Sequence, residues 1–230
     1  MTLRTRVFDI RNNKFGFTLA EVLITLGIIG VVAALTLPTL IQKHKEQVTV
    51  AKAKKIYSTV SQAYLMAIKE NGPADEWYME PMRNKATTLR FASYIVPHLK
   101  VVRDCKTEPG CIGYKNGIHL LNGTYRNINY DTDFIYYKVI LADGSCIWIR
   151  RTDNNLYCAE TDGGHDNVCG VVFFDVNGAK EPNVVGKDIF IMYLKSNTTV
   201  PSINNDCNRY GNGWGCLNKI LLEGKMNYLH

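Results

Sequence analysis

From Phe17 to Leu37 the chain is apolar apart from one charge, Glu21, and its apolar residues fall on every helical face instead of on one stripe. That pattern suits a helix surrounded by lipid or by other helices. As a helix the stretch rises about 30 Å, the hydrocarbon thickness of a bilayer. Thr18, Ala20, Gly27, Gly30, Ala33 and Ala34 are small and allow close helix packing. Pro38 removes a backbone donor and is expected to bend or stop the helix as it leaves the apolar zone. Beyond it, Val48, Ala51, Ile56, Val60, Ala63, Tyr64, Ala67 and Ile68 recur near three-to-four spacing, so the helix is expected to resume with one buried face. Asn71-Gly72-Pro73 ends it, with Gly after the last turn and Pro beyond. No strict heptad is sustained, which disfavours an independent coiled coil.

After Gly72 the pattern changes to short apolar runs punctuated by Gly, Asn and Asp, which reads as β structure. Phe134 to Leu141 and Cys146 to Arg151 flank Asp143-Gly144, a strong hairpin signal. Val171 to Val176 and Ile189 to Leu194 form a second predicted pair around Asn177-Gly178 and a longer polar connection. Tyr78 to Leu99 is expected to hold a short helix before Pro97. The predicted fold is α+β: a long N-terminal helix, membrane-spanning in its first half, laid on an antiparallel sheet.

A carboxylate inside a bilayer segment costs roughly 2.5–3.5 kcal/mol at a helix centre and somewhat less near an end, so Glu21 implies a partner or a role. The chain also has a basic leader (Arg4, Arg6, Arg11, Lys14), then Gly16, Phe17 and Glu21, with Pro38 at the helix exit. At this spacing these residues resemble the start of the type IV prepilin-like family, the pilins and the pseudopilins of type II secretion and related DNA-uptake machines. The resemblance implies a pilin-like fold, cleavage after Gly16 by a prepilin peptidase and N-methylation of Phe17. It also implies assembly into a helical filament on an inner-membrane platform, with Glu21 meeting the N-terminal amine of a neighbouring subunit. Two plainer readings compete: a secretory signal peptide cleaved near Ala33-Ala34, and a plain single-span anchor. Glu21 and the length of the apolar run count against the first, and the second leaves Gly16, Phe17 and Glu21 as coincidences. Lys43, Lys45, Lys52, Lys54 and Lys55 match the leader's charge, so the positive-inside rule does not fix orientation. The leader motif alone implies a cytoplasmic N-terminus and a head outside the inner membrane.

The expected organisation is a leader at 1–16, a transmembrane or filament-core helix at 17–38, its continuation at 39–72, and a disulfide-containing β head at 73–230. Loss of the leader takes 16 residues from 230 and leaves 214, enough for one helix and one head. It also removes four basic residues and Asp9, so the formal charge falls from +6 by 3 to +3, too mild to mark a nucleic-acid surface. Seven cysteines suit an oxidising compartment. Cys105 with Cys111, and Cys207 with Cys216, bracket Gly-containing loops and are the preferred local bridges, while Cys146, Cys158 and Cys169 leave one odd thiol. Sequence leaves the full connectivity open. None of the seven shows the close two-residue spacing of zinc knuckles and ribbons.

In the segment from Phe174 to Asp188, Asp175, Asn177 and Asp188 offer hard oxygen ligands and Gly178 a sharp turn, which raises a calcium site as a candidate. Asp-x-Asn-Gly is also an ordinary turn, and the turn is the preferred reading. The five histidines are scattered, with no zinc-protease pair and no Gly-x-Ser-x-Gly elbow, and Gly163-Gly164-His165-Asp166 reads as a solvated loop. No enzymatic activity and no cofactor are therefore expected. Arg150, Arg151, Lys100, Arg103 and Lys106, with Tyr136, Tyr137 and Trp148 nearby, are weighed as a DNA-binding face and read instead as an ordinary sheet surface. The expected role is a structural filament subunit, a pseudopilin or minor pilin of type II secretion ahead of a pilus subunit for adhesion, motility or DNA uptake. A membrane-anchored enzyme is the third class.

Overall fold

The computed structural model describes Gly16 and residues 18–77, 84–114, 117–152 and 158–230. The leader residues Arg4, Arg6, Arg11 and Lys14, the processing residue Phe17, and residues 78–83 of the expected second helix lie outside the described residues. Two units are present, residues 1–44 and 45–230. Helix α1 (Leu19–Asn71) contributes to both.

In the first unit, none of the large apolar side chains from Leu19 to Ile41 is buried. This is the one described helix long and apolar enough to cross a membrane. Of the two effects expected of Pro38, a bend or a stop, the stop does not occur: it sits inside a helix that continues to Asn71, so the expected continuation is part of the same helix. The missing N–H removes one rung of the ladder, and the long runs on either side hold the remainder in register.

In the second unit, α1 buries Val50, Ala53, Ile56, Val60, Ala63, Tyr64 and Ala67, the stripe expected from sequence with Val50 and Ala53 in place of Val48 and Ala51 and with Ile68 only half-buried at its end. These pack on one face of a seven-stranded antiparallel sheet. Its strands are β1 (Val101–Lys106), β4 (Tyr137–Leu141), β5 (Cys146–Arg151), β6 (Glu160–Asp162), β7 (His165–Asp175), β8 (Ile189–Lys195) and β9 (Thr199–Pro201), ordered β1-β4-β5-β7-β8-β9 with β6 also on β7. A separate two-stranded ribbon joins β2 (Ile118–His119) to β3 (Tyr125–Arg126). Helices α2 (Lys85–Ile95) and α3 (Cys216–Glu223) complete the helical side. Asn84 caps α2, its side chain accepting from the Ala86 N–H at 2.9 Å. Pro97 lies in the 3-10 turn that follows α2.

Both faces of the sheet are covered. Val139, Ile147, Ile149, Val172, Phe174 and Met192 point to the helices. Tyr136, Cys146, Trp148, Val171, Phe173 and Ile191 point to a second core closed by Ile112, Ile118, Leu120 and Tyr130. Trp148 and Phe173, cross-strand partners in β5 and β7, stack with ring centroids 5.7 Å apart. The Asp143-Gly144 turn joins β4 to β5, with Gly144 at φ +82°. Ser145 N–H donates to the Asp143 carboxylate at 3.2 Å.

Helix and sheet are also tied by polar bonds. Tyr64 donates to the Lys195 carbonyl at 2.7 Å, and Lys52 to the Val176 carbonyl at 3.1 Å. Lys138 is fully buried and donates to the carbonyls of Thr107 (2.9 Å), Asp131 (2.6 Å) and Asp133 (3.2 Å). The Asp131 carboxylate in turn accepts from the N–H groups of Gly110, Cys111 and Ile112. A buried cation with saturated acceptors thus fixes the loop after β1 onto β4.

Candidate functional site

Of the residues expected to serve processing and assembly, Gly16 and Glu21 lie at the start of α1, and Pro38 lies within it. Gly16 is exposed, outside the helix, with no neighbouring group near the place a Cβ would occupy. Thr18 precedes the first helical residue, and its N–H and hydroxyl both donate to a Glu21 carboxylate oxygen at 2.8 Å. The Glu21 N–H returns a bond to the Thr18 hydroxyl at 3.3 Å. This Thr-x-x-Glu arrangement is a capping box: each side chain satisfies a backbone donor that the first turn leaves open. Glu21 therefore has a local partner inside a single chain, which lowers the cost of carrying its charge in an apolar segment. Sequence reasoning singled out Glu21 and overlooked Thr18 as its partner, although the three-residue spacing was readable.

The head's cysteines form three disulfides, Cys105–Cys111, Cys158–Cys169 and Cys207–Cys216. Cys146 is the free thiol. It is buried, donates to the Cys111 carbonyl at 2.9 Å, and burial first, then the Asp175 and Asp131 charges, push its thiol up to about 12.

Asp175 ends β7, Asp188 precedes β8, and Asn177 lies in the loop between them. Asp188 accepts from the N–H groups of Asn183 (2.8 Å) and Val184 (2.7 Å) and from the Asn177 side-chain amide (3.2 Å). Asp175 accepts from the Asn177 N–H at 3.0 Å. Both carboxyls are buried, and desolvation raises the pKa of each; the neighbouring Asp188 charge adds to the rise of Asp175, which reaches about 8. The donor set does not fit calcium: Asn177 turns its NH2 toward Asp188, and both Asp188 oxygens meet N–H groups. Among the described residues no trio of carboxylate, histidine or cysteine side chains is placed to hold a metal. Asp175, Asn177 and Asp188 form a clasp for the β7–β8 loop.

The DNA-binding face weighed from sequence is not assembled. Tyr136, Tyr137, Trp148 and Arg151 are buried, so those rings present no face on which bases stack. His165 sits in β7 with Nε2 2.8 Å from the Pro201 carbonyl, a strand-edge contact beside the Gly163-Gly164 turn.

An apolar first helix opened by a Thr18–Glu21 cap, running on into a disulfide-bonded α+β head, defines a type IV pilin-like subunit. The prokaryotic N-terminal methylation motif matches residues 11–37. That motif implies processing by a prepilin peptidase and assembly with other pilins, and with the long apolar helix it fits a single-pass, membrane-anchored protein. The chain belongs to DUF6613, a family of unknown function whose model matches residues 39–229. No curated protein and no solved structure matches the chain.

Proposed function

We propose that this chain is a non-enzymatic pseudopilin or minor pilin of a type II secretion system. In this reading it is cleaved after Gly16, N-methylated on Phe17, and assembled through α1 on an inner-membrane platform with its head in the periplasm. The observation that carries the filament reading is Glu21, the lone carboxylate of the apolar stretch from Phe17 to Leu37, one turn beyond the motif's cleavage point. Cleavage leaves a charged amine at Phe17. Glu21 then exchanges its Thr18 bonds for a charge-assisted contact to the amine of a neighbouring copy, which is the stronger interaction in a low-dielectric core. Secretion is favoured over DNA uptake because the aromatic rings of the weighed DNA face are inside the head. The second reading, a pilus subunit for adhesion or motility, shares all of the N-terminal chemistry.

Intact mass and N-terminal sequencing of the chain from membranes of cells with and without a prepilin peptidase test the first step. A peptidase-dependent start at methylated Phe17 is expected. An uncleaved Met1 start would leave a static anchor, and a start near Leu35 would leave a secreted head. For the machine, deletion of the chain is expected to depress protein export and spare surface pili. Loss of pili with intact export would select the second reading.

A further inference from the structure

The order of the cysteines along the chain conflicts with the order in which they are bridged. Cys105–Cys111 and Cys207–Cys216 close loops of 6 and 9 residues with no competing cysteine between them. Cys158 has two nearby choices. Its native partner, Cys169, is 11 residues ahead, and the free Cys146 is 158 − 146 = 12 residues behind. Closure probability falls with about the three-halves power of loop length, so an unfolded chain forms the two bridges at rates within about 1.2-fold of each other. With the N-terminal helix held in the membrane, the head emerges in chain order and exposes Cys146 and Cys158 before Cys169. Vectorial oxidation therefore favours the wrong bridge.

The fold has no place for that bridge. Cys158 and Cys169 belong to the core between helices and sheet, whereas Cys146 belongs to the core on the opposite face. A Cys146–Cys158 disulfide has to pass through the sheet, so β5 cannot take its register on β7 while it persists. Once the native state forms, Cys146 is sealed by the loop after Asp175, with the Cβ position of Gly178 3.7 Å from its sulfur.

We infer that maturation of this head requires a thiol–disulfide exchange step on Cys158, supplied by a dithiol isomerase of the oxidising compartment. The inference rests on the head maturing outside the inner membrane. A protein disulfide of that compartment first removes two electrons and two protons from Cys146 and Cys158. A thiolate of the isomerase attacks the Cys158 sulfur, the S–S bond to Cys146 breaks, and Cys146 leaves as thiolate and takes up a proton. The Cys169 thiolate then attacks Cys158 in the mixed disulfide, forms Cys158–Cys169 and returns the isomerase thiolate. Electrons balance across the exchange with no further oxidant.

The test uses the full chain, reduced in denaturant, moved into detergent micelles, oxidised with diamide, quenched with N-ethylmaleimide and mapped by non-reducing peptide mass spectrometry. The wild type is expected to yield Cys146–Cys158 within about two-fold of Cys158–Cys169, and a purified disulfide isomerase with reduced glutathione is expected to convert it to the native bridge. Cys146→Ser is expected to give Cys158–Cys169 in equal yield with or without isomerase. Absence of the Cys146–Cys158 peptide from the wild type overturns the inference, and that reading stands even if the variant fails to fold. Recovery from cells of a chain with all seven thiols reduced would instead overturn the compartment assignment and leave the micelle result to decide the exchange step.

Discussion

Asp175→Asn removes a buried carboxyl whose titration is pushed up to about 8. In the folded head its pKa is raised to about 8, against 3.8 in the open chain, first by desolvation and then by Asp188. The folded state therefore binds this proton more tightly than the unfolded state does. Stability contributed by the group is fully present below about pH 4 and is lost as pH rises through about 8. Each pH unit inside that window is worth about 1.4 kcal/mol, so the wild type should lose about 4 kcal/mol between about pH 5 and about pH 8. Lys52 and the N–H groups of Asn177 and Gly178 oppose the shift and are already contained in the net value. The amide variant keeps an acceptor for the Asn177 N–H and carries no charge at any pH. It should unfold with a shallower pH dependence than wild type, the remainder coming from Asp188, whose pKa is also raised by burial, and be about 1 kcal/mol weaker than wild type at the acid end and several kcal/mol stronger at the alkaline end. Asp188→Asn is the contrasting variant. Both Asp188 oxygens accept N–H bonds, so an amide places a donor against a donor and should destabilise at every pH. The assay is denaturant unfolding of the full chain in micelles, followed by tryptophan fluorescence across the pH series. A wild-type stability that stays flat from about pH 5 to about pH 8, or an Asp175→Asn variant that keeps the wild-type slope, would refute the argument.

Lys138→Met removes the ammonium that three carbonyls share and leaves them buried, so a loss of about 3 kcal/mol is expected in the same unfolding assay; a change under about 1 kcal/mol would mean water replaces it freely. Gly163→Ala puts a Cβ into the Tyr193 ring at a φ of +59°, and should cost about 1–3 kcal/mol and speed hydrogen exchange in the β6–β7 hairpin. Thr18→Val deletes the cap hydroxyl at nearly constant volume. The amides of Leu19 to Glu21 should exchange faster in micelles, by the factor that about 1 kcal/mol implies, while Thr18→Ser restores the wild-type rate.

What sequence revealed and what it hid follow from the range of the interactions involved. The long helix was legible because periodicity is local, and the Asp143-Gly144 hairpin because its turn chemistry lies in two adjacent residues. The first half of β7 was missed: His165, Asp166 and Asn167 are polar and pair with β6 at the sheet's margin, where alternation is weak. β1 was missed for a related reason, since an edge strand with two irregularities in its pairing need not alternate. Asp175 and Asp188 were found as residues of a turn, with calcium ligation weighed beside it, and sequence could not separate the two because the direction of the surrounding N–H groups is a property of the closed loop. Cys158–Cys169 was undecidable for the same reason that makes its formation error-prone: spacings of 11 and 12 residues are equivalent to a chain that does not yet know which face of the sheet each thiol will occupy.

The two-sided burial of the sheet bears on how such a subunit assembles. A sheet with one open apolar face would offer its neighbours a broad sticky surface, and copies would associate through their heads before any helix left the membrane. Here Trp148, Phe173 and Tyr136 are covered by the chain's own loops, and the sheet margins are blunted by the irregular β1 and by Pro201 in the three-residue β9. The large continuous apolar surface that remains exposed is the first half of α1. Under the proposed assembly, self-association is directed to the helix, where Thr18 holds the Glu21 charge that would change partners when a second copy arrives.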